Sequence, residues 1–232
     1  MNLDIVIPTI NRREKLVNCL NSIFLSTRHI PVNLYIYFSI QEELDYIKNM
    51  IGFVEGIHLK MVQNYRVPDF WNDHIKNMTS DAMMYLNDDV LLFDNTVELA
   101  IETFKKVFPD NDGVMGLSQA NLPEGDTLEG AFGLIGAKFA DRFPDRKTIC
   151  PDYYRFYSDK ELWLYSTEVG KFHYDPQIKI KHLHAAYYKN ALDQTHIDVR
   201  KHLKKDKYTY NQRQSQKLLW GRNFDLINTE TT

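Results

Sequence analysis

Two carboxylates in a row, Asp88 and Asp89, follow Asn87 at the end of the apolar run Ala82-Met83-Met84-Tyr85-Leu86 and precede a second apolar stretch, Val90-Leu91-Leu92-Phe93. Adjacent carboxylates repel, and burying them costs free energy unless a cation or hydrogen bonds compensate. Hard oxygen ligands at the end of a buried strand suit Mg²⁺ or Mn²⁺, with phosphate oxygens completing the shell. The bland alternative is a helix-capping turn ahead of Asp94. His182 and His184 follow another strand-like run at i and i+2, a spacing that points both imidazoles to one side. Two further apolar runs end in polar groups, Pro8-Thr9-Ile10-Asn11-Arg12 and Gln63-Asn64. Hydroxyl, amide, guanidinium and carboxylate together form a set suited to a nucleotide and a divalent metal.

These groups need elements to position them. Leu3 to Ile7 reads as a buried strand, and Arg12 to Phe24 carries Leu16, Leu20, Ile23 and Phe24 at helical spacing. Strands over 33–38, 57–62 and 82–86 alternate with helices over 41–50, 69–78 and 94–108, the last with Asp94 as N-cap and Pro109 as stop. Strands alternating with helices predict βαβ units and an α/β fold with a mostly parallel, mixed sheet covered by helices on both faces. In such open sheets ligands bind outside the carboxyl ends of the strands, where the polar groups above fall. Beyond residue 110 the pattern loosens. Strands are expected over 114–118, 131–136 and 177–182, a helix over 158–166, and two helices over 193–206 and 208–220, with a frayed tail from Asn228. The reading is one catalytic domain over 1–190 with a basic helical extension, 191–232, packed on it.

Composition bounds the class. The chain has 232 residues, 44% hydrophobic and 25% charged, which excludes a disordered or fibrous chain. No apolar run reaches the roughly 20 residues of a membrane-spanning helix, and the opening residues lack a basic n-region. Two cysteines far apart, Cys19 and Cys150, exclude a disulfide scaffold and fit a reducing, cytoplasmic compartment. Net charge is −3, but residues 177–222 carry 11 Lys and Arg against 3 Asp and Glu, a local +8. That segment suits an anionic partner: nucleotide phosphates, a membrane surface or nucleic acid.

The segment Asp4-Ile-Val-Ile-Pro-Thr-Ile-Asn-Arg-Arg-Glu-Lys-Leu16 resembles the opening of the family 2-type, GT-A fold glycosyltransferases. Asn72, Ile75, Met78 and Ser80, then a strand and Asn87-Asp88-Asp89, are similar to the segment leading to that family's Asp-x-Asp-like motif. Asp159-Lys160-Glu161-Leu162, His182-Leu183-His184 and Lys217-Leu-Leu-Trp220-Gly221 resemble its acidic motif, its late histidine and a C-terminal Lys-Trp-Gly element. The chain departs from the family at Ile10, an aromatic there, and at Phe38-Ser39-Ile40-Gln41, where Asp-Asp-Gly-Ser is usual.

The resemblance implies a metal-dependent inverting transferase. Asp89 would hold Mn²⁺ or Mg²⁺ together with His182, favoured slightly over His184. Asp159 would be the general base, with Glu161 as runner-up or acceptor-orienting group. Pro8, Thr9, Asn11, Arg12, Ser39, Asn64, Asn72, Asn87, Asp88 and Lys217 would contact a nucleotide-sugar, by family frequency a UDP-sugar. The acceptor hydroxyl would sit on a glycan, a lipid-linked sugar, a small molecule or a modified nucleic acid. A nucleotidyltransferase would want a Gly-rich loop after the first strand, which Pro8-Thr9-Ile10-Asn11 lacks. A non-catalytic nucleic-acid binder would use the +8 segment with its tyrosines, yet would leave Asn87-Asp88-Asp89 without a role.

Overall fold

The computed structural model of the chain describes residues 1–63, 66–122, 130–185, 188, 192–222 and 224. Among the described residues eight strands form one mixed sheet. They are β1 (Leu3–Thr9), β2 (Asn33–Phe38), β3 (Ile57–Met61), β4 (Ala82–Tyr85), β5 (Val90–Leu92), β6 (Val114–Gln119), β7 (Gly133–Gly136) and β8 (Phe172–His182), in the spatial order β3-β2-β1-β4-β7-β6-β8-β5. The β3-β2-β1-β4 half is parallel throughout. β7 joins β4 antiparallel, β6 pairs antiparallel with β7 and parallel with β8, and β5 closes the edge antiparallel to β8.

The α-helices among the described residues include α1 (Arg13–Ser26), α2 (Gln41–Ile51), α3 (Val67–Asn77), α4 (Thr96–Val107), the single turn α5 (Ala137–Ala140), α6 (Ser158–Glu168) and α7 (Gln194–Ser215). All seven residues of β1 are buried because helices pack on both of its faces. Ile5 and Ile7 meet Leu16, Leu20 and Ile23 of α1 and Phe104 of α4 on one side. Val6 belongs to the cluster on the other side, with Phe70, Trp71 and Ile75 of α3 and Tyr165 of α6. A strand sandwiched in this way reads as a continuous apolar run rather than an alternating one.

The α/β layering, the mixed sheet and most elements agree with the sequence reading, and four details differ. Val90–Leu92, taken as an apolar stretch, is a strand. α4 starts at Thr96, with neither Asp94 nor Asn95 capping it through a side chain; the Phe93 N–H donates instead to Thr96 Oγ1. The strand expected over 177–182 begins earlier, at Phe172. The two expected C-terminal helices are one unbroken helix, α7, because nothing around Lys207 stops it. Residues 123–129, between the strands expected over 114–118 and 131–136, and the tail from Asn228 lie outside the described residues.

β5 is short but decisive for position. Its ladder sets Val90 opposite His182, and the Leu183 N–H donates to the Asp89 carbonyl at 2.8 Å. The carboxylate pair is thereby fixed beside the histidine segment that follows β8.

Candidate active site

Asp88 and Asp89 are both fully buried, as burial of the flanking runs requires. Their partners come from the β1 end. Thr9 Oγ1 donates to Asp88 at 2.9 Å, and Arg12 Nη1 donates to Asp88 at 2.9 Å and to Asp89 at 3.3 Å. Burial raises the Asp88 pKa over the opposing pull of Arg12, and the Asp89 charge adds to the rise. Burial acts the same way on Asp89, but the nearness of His182 and the charge of Arg12 carry it below the ordinary carboxylate range. Burial alone would lower the Arg12 pKa; Asp88, Asp89 and Asp193 together raise it.

One carboxylate oxygen is left over. Asp89 Oδ1 faces His182 Nε2 at 3.3 Å, and neither buried atom has a hydrogen-bond partner. The other ring nitrogen of His182 lies 3.1 Å from Gln119 Oε1. That contact engages Nδ1 and leaves Nε2 as the ring nitrogen turned toward the carboxylate. A carboxylate oxygen and a ring nitrogen so placed, both buried and without a hydrogen-bond partner, fit a cation that would bind to both. Among the described residues no three His, Cys, Asp or Glu side chains are arranged to hold a metal by themselves. The fit is therefore to a two-residue protein contribution whose shell a ligand's oxygens complete.

His184 lies beside His182 with ring centroids 5.1 Å apart and the planes tilted by 42°, and burial together with its histidine neighbours lowers its pKa to about 4. It lines the same cleft as His182, Asn87 and Asp159, a space of about 290 Å³ with Arg155 and Phe132 also in its walls. That volume is at the lower end for small-molecule sites.

Asp159 sits in the first turn of α6, behind Tyr157, whose left-handed φ of 70° turns the chain into the helix. It does not cap the helix. Burial raises its pKa to about 6, against the N–H groups of Lys160 and Asp159 and the nearby charges of Lys160 and Arg155, which lower it. A carboxyl with that value at the wall of a cleft is poised to accept a proton near neutrality. The loop leading to it is held from α7: Asp206 accepts the N–H groups of Tyr154, Arg155 and Phe156, each at 2.9 Å. Tyr154 stacks on His202 at 3.5 Å and Tyr157 on Tyr210 at 4.8 Å.

The structure thus gathers Thr9, Arg12, Asp88, Asp89 and His182 at one point, with Asn87, His184 and Asp159 on the adjoining cleft. Pro8 lies within β1 opposite Tyr37, and Ser39 Oγ is buried without a hydrogen-bond partner at the end of β2. Asn11 adopts a positive φ of 54° and donates its N–H to Glu43, beside a surface hollow shared with Arg12, Lys15 and Asp193. Asn64 lies outside the described residues.

Three candidates are placed elsewhere. Asn72 is strapped to the backbone of Ile149 by two hydrogen bonds, at 2.7 and 2.9 Å. Lys217 lines a different hollow with Glu168 and Arg222. Glu161, one turn from the cleft wall, points into the protein and accepts from Tyr153, from Arg213 twice and from the Trp220 N–H. Trp220 donates its Nε1–H to the Lys147 carbonyl and packs beside the core instead of covering the cleft.

Two residues of α7 join the cluster without having been foreseen. Asp193 caps the helix by accepting the His196 N–H, and it pairs with Arg12 at 3.1 Å and Lys15 at 2.5 Å. These partners, Lys15 first, outweigh the effect of burial and hold its pKa far below normal. His196 places Nδ1 at 2.8 Å from Asp193 and Nε2 at 3.7 Å from Asp89. An Asp at an N-cap was the one available signal; nothing in the sequence ties it to Arg12.

No protein-family model and no curated protein matches the sequence. Solved structures do match in fold. TarS 1–349 of S. aureus superposes with a TM-score of 0.56 at 10% identity, over 82% of this chain and 63% of that one. The same TarS fragment in complex with UDP gives 0.54 at 10% identity, over 76% and 58%. The mannosyltransferase PcManGT from Pyrobaculum calidifontis, in complex with GDP-Man and Mn²⁺, gives 0.59 at 12% identity, over 78% and 56%. The chain spans less than two thirds of the length of each. At these identities the likeness defines the fold, a GT-A-like glycosyltransferase fold.

Proposed function

We propose that the chain is a metal-dependent, inverting glycosyltransferase that moves a sugar from a nucleotide-sugar to an acceptor hydroxyl. The observation that carries this reading is the cleft that brings Asp159, with its raised pKa, beside His182, whose Nε2 faces the unpartnered oxygen of Asp89. The solved complexes of fold neighbours with UDP, and with GDP-Man and Mn²⁺, support the donor class and the divalent ion.

Asp89 and His182 would hold Mn²⁺ or Mg²⁺, with His184 as the alternative imidazole, and the ion when bound would act as Lewis acid toward a leaving diphosphate. Arg12 and Thr9 fix the two carboxylates in one orientation, so little reorganisation is needed when the donor arrives. Asn87 and Asp88, at the end of β4, would contact the nucleotide-sugar. Asp159 accepts the proton of the acceptor hydroxyl as its oxygen bonds to the anomeric carbon and the bond from that carbon to the diphosphate oxygen breaks. Attack opposite the leaving group inverts the anomeric centre. A UDP-sugar is the first donor to test, and a cytoplasmic setting fits two free, buried cysteines. Among the described residues no helix is long and apolar enough to cross a membrane.

The test is thermal stabilisation by UDP and by GDP, each with Mn²⁺ and with EDTA, because a ligand that binds only the folded state raises the melting temperature. A metal-dependent shift for one diphosphate is expected, and Asp89→Ala should lose it. Equal shifts in the variant and the parent would overturn the metal assignment. No shift with any diphosphate would overturn the donor class.

A further inference from the structure

The outward face of α7 takes no part in the reading above. Along it Ile197, Lys201, Lys204 and Tyr208 follow at i, i+4, i+7 and i+11, one stripe of a helix. Arg200, Lys205 and Lys207 flank that stripe, and all five cations are exposed. Of the helix's two acids, Asp206 is buried on the inner face, leaving Asp198 as its exposed acid. Between the cations stand apolar side chains that a helix facing only water would not need. Ile197 is 51% exposed and Tyr208 65%, with Leu203 and the preceding Leu192 also open to solvent.

We infer that this face docks on an anionic lipid bilayer surface. Lysines beside aliphatic and tyrosine side chains are the chemistry of an interfacial helix: the cations meet anionic headgroups while the apolar side chains enter the acyl boundary. A polynucleotide would instead want aromatic faces free for stacking. Here Tyr210 is stacked on Tyr157, His202 is stacked on Tyr154, and the outward apolar groups are mainly aliphatic. The helix is also held as a rigid ledge, its inner face pinned by Thr195, His196, Val199 and Asp206. Its first turn reaches the carboxylate cluster, so a bilayer on this face would lie near the candidate active site.

The experiment is co-sedimentation of the full chain with vesicles of phosphatidylcholine alone and of phosphatidylcholine mixed with phosphatidylglycerol, at low and high salt. Binding is expected only to the anionic vesicles, weakening as salt rises. Lys201→Gln, Lys204→Gln and Lys205→Gln together should weaken it about 100-fold, at roughly fivefold per lysine. Ile197→Ser with Tyr208→Ser should weaken it at both salt concentrations. These side chains are exposed, so melting temperatures should match the parent and confirm folding. Equal binding to both vesicle types, or lysine and serine variants that sediment like the parent, would overturn the inference. So would tight binding of single-stranded DNA by a chain that ignores the vesicles, which would assign the cations to nucleic acid. Sedimentation needs neither nucleotide nor acceptor, so this result and the test of the transferase reading fail independently.

Discussion

Glu161→Gln separates a structural carboxylate from a catalytic one. Glu161 is fully buried and its two oxygens take four donors: the Tyr153 hydroxyl, two nitrogens of Arg213 at 2.7 and 2.9 Å, and the Trp220 N–H at 2.8 Å. The amide keeps the shape but loses the charge and turns one acceptor into a donor that faces other donors. Arg213 would keep only Asp152, a half-exposed partner at 2.8 Å. Removing one member of a buried ion pair costs about 3–5 kcal/mol. For a chain of this length each kcal/mol moves the melting temperature by about 2–4 °C, so a fall on the order of 10 °C is expected. The assay is thermal unfolding followed by circular dichroism, with Arg213→Met added in the same background. The apolar partner should restore part of the loss, since the stranded charge is gone. A variant that melts within about 2 °C of the parent yet has lost sugar transfer would refute this assignment and return Glu161 to the reaction.

Asp159→Asn should spare donor binding and abolish transfer. It also carries a pH signature: the folded pKa of about 6 lies above the ordinary 3.8, so folding disfavours the ionised form and the parent loses stability as pH rises between those values. The variant's advantage in melting temperature should therefore be absent at pH 3.5 to 4 and full above about 6; an advantage that ignores pH contradicts the assignment. Asp206→Ala strips three backbone N–H groups of their acceptor and should cost about 3 kcal/mol in urea unfolding, together with transfer activity. A loss below about 1 kcal/mol would show that the loop before α6 holds itself.

The centre of the parallel half was legible because β1 and β4 are buried on both faces and so announce themselves as unbroken apolar runs. Helices such as α1 show their buried side as Leu16, Leu20 and Ile23 at regular spacing. β5 was not legible, since three apolar residues carry no period, and only the ladder to β8 makes them a strand. The break expected after Asp206 is absent from α7; Asp206 lies within the helix as a buried acceptor for a loop some 50 residues earlier. The site divides in the same way. The carboxylate pair and the two histidines were visible as strand-end polar groups. Glu161 looked free because Arg213, its partner, lies 52 residues on. His196 was invisible because its meaning depends on Arg12, 184 residues away.

That last separation bears on how the protein is made. Arg12 and Thr9 emerge from the ribosome early, and β1 to β4 can pair as they appear, since domains fold from the N-terminal side during synthesis. Asp193, Thr195 and His196 close over the β1 end only when α7 arrives, with Thr195 Oγ1 donating to the Ile10 carbonyl at 2.9 Å. Until then the cation beside Asp88 and Asp89 has one flank open to water. The nascent chain therefore holds a nearly complete sheet with an unfinished charge cluster, and α7, translated after the strands, turns it into a site.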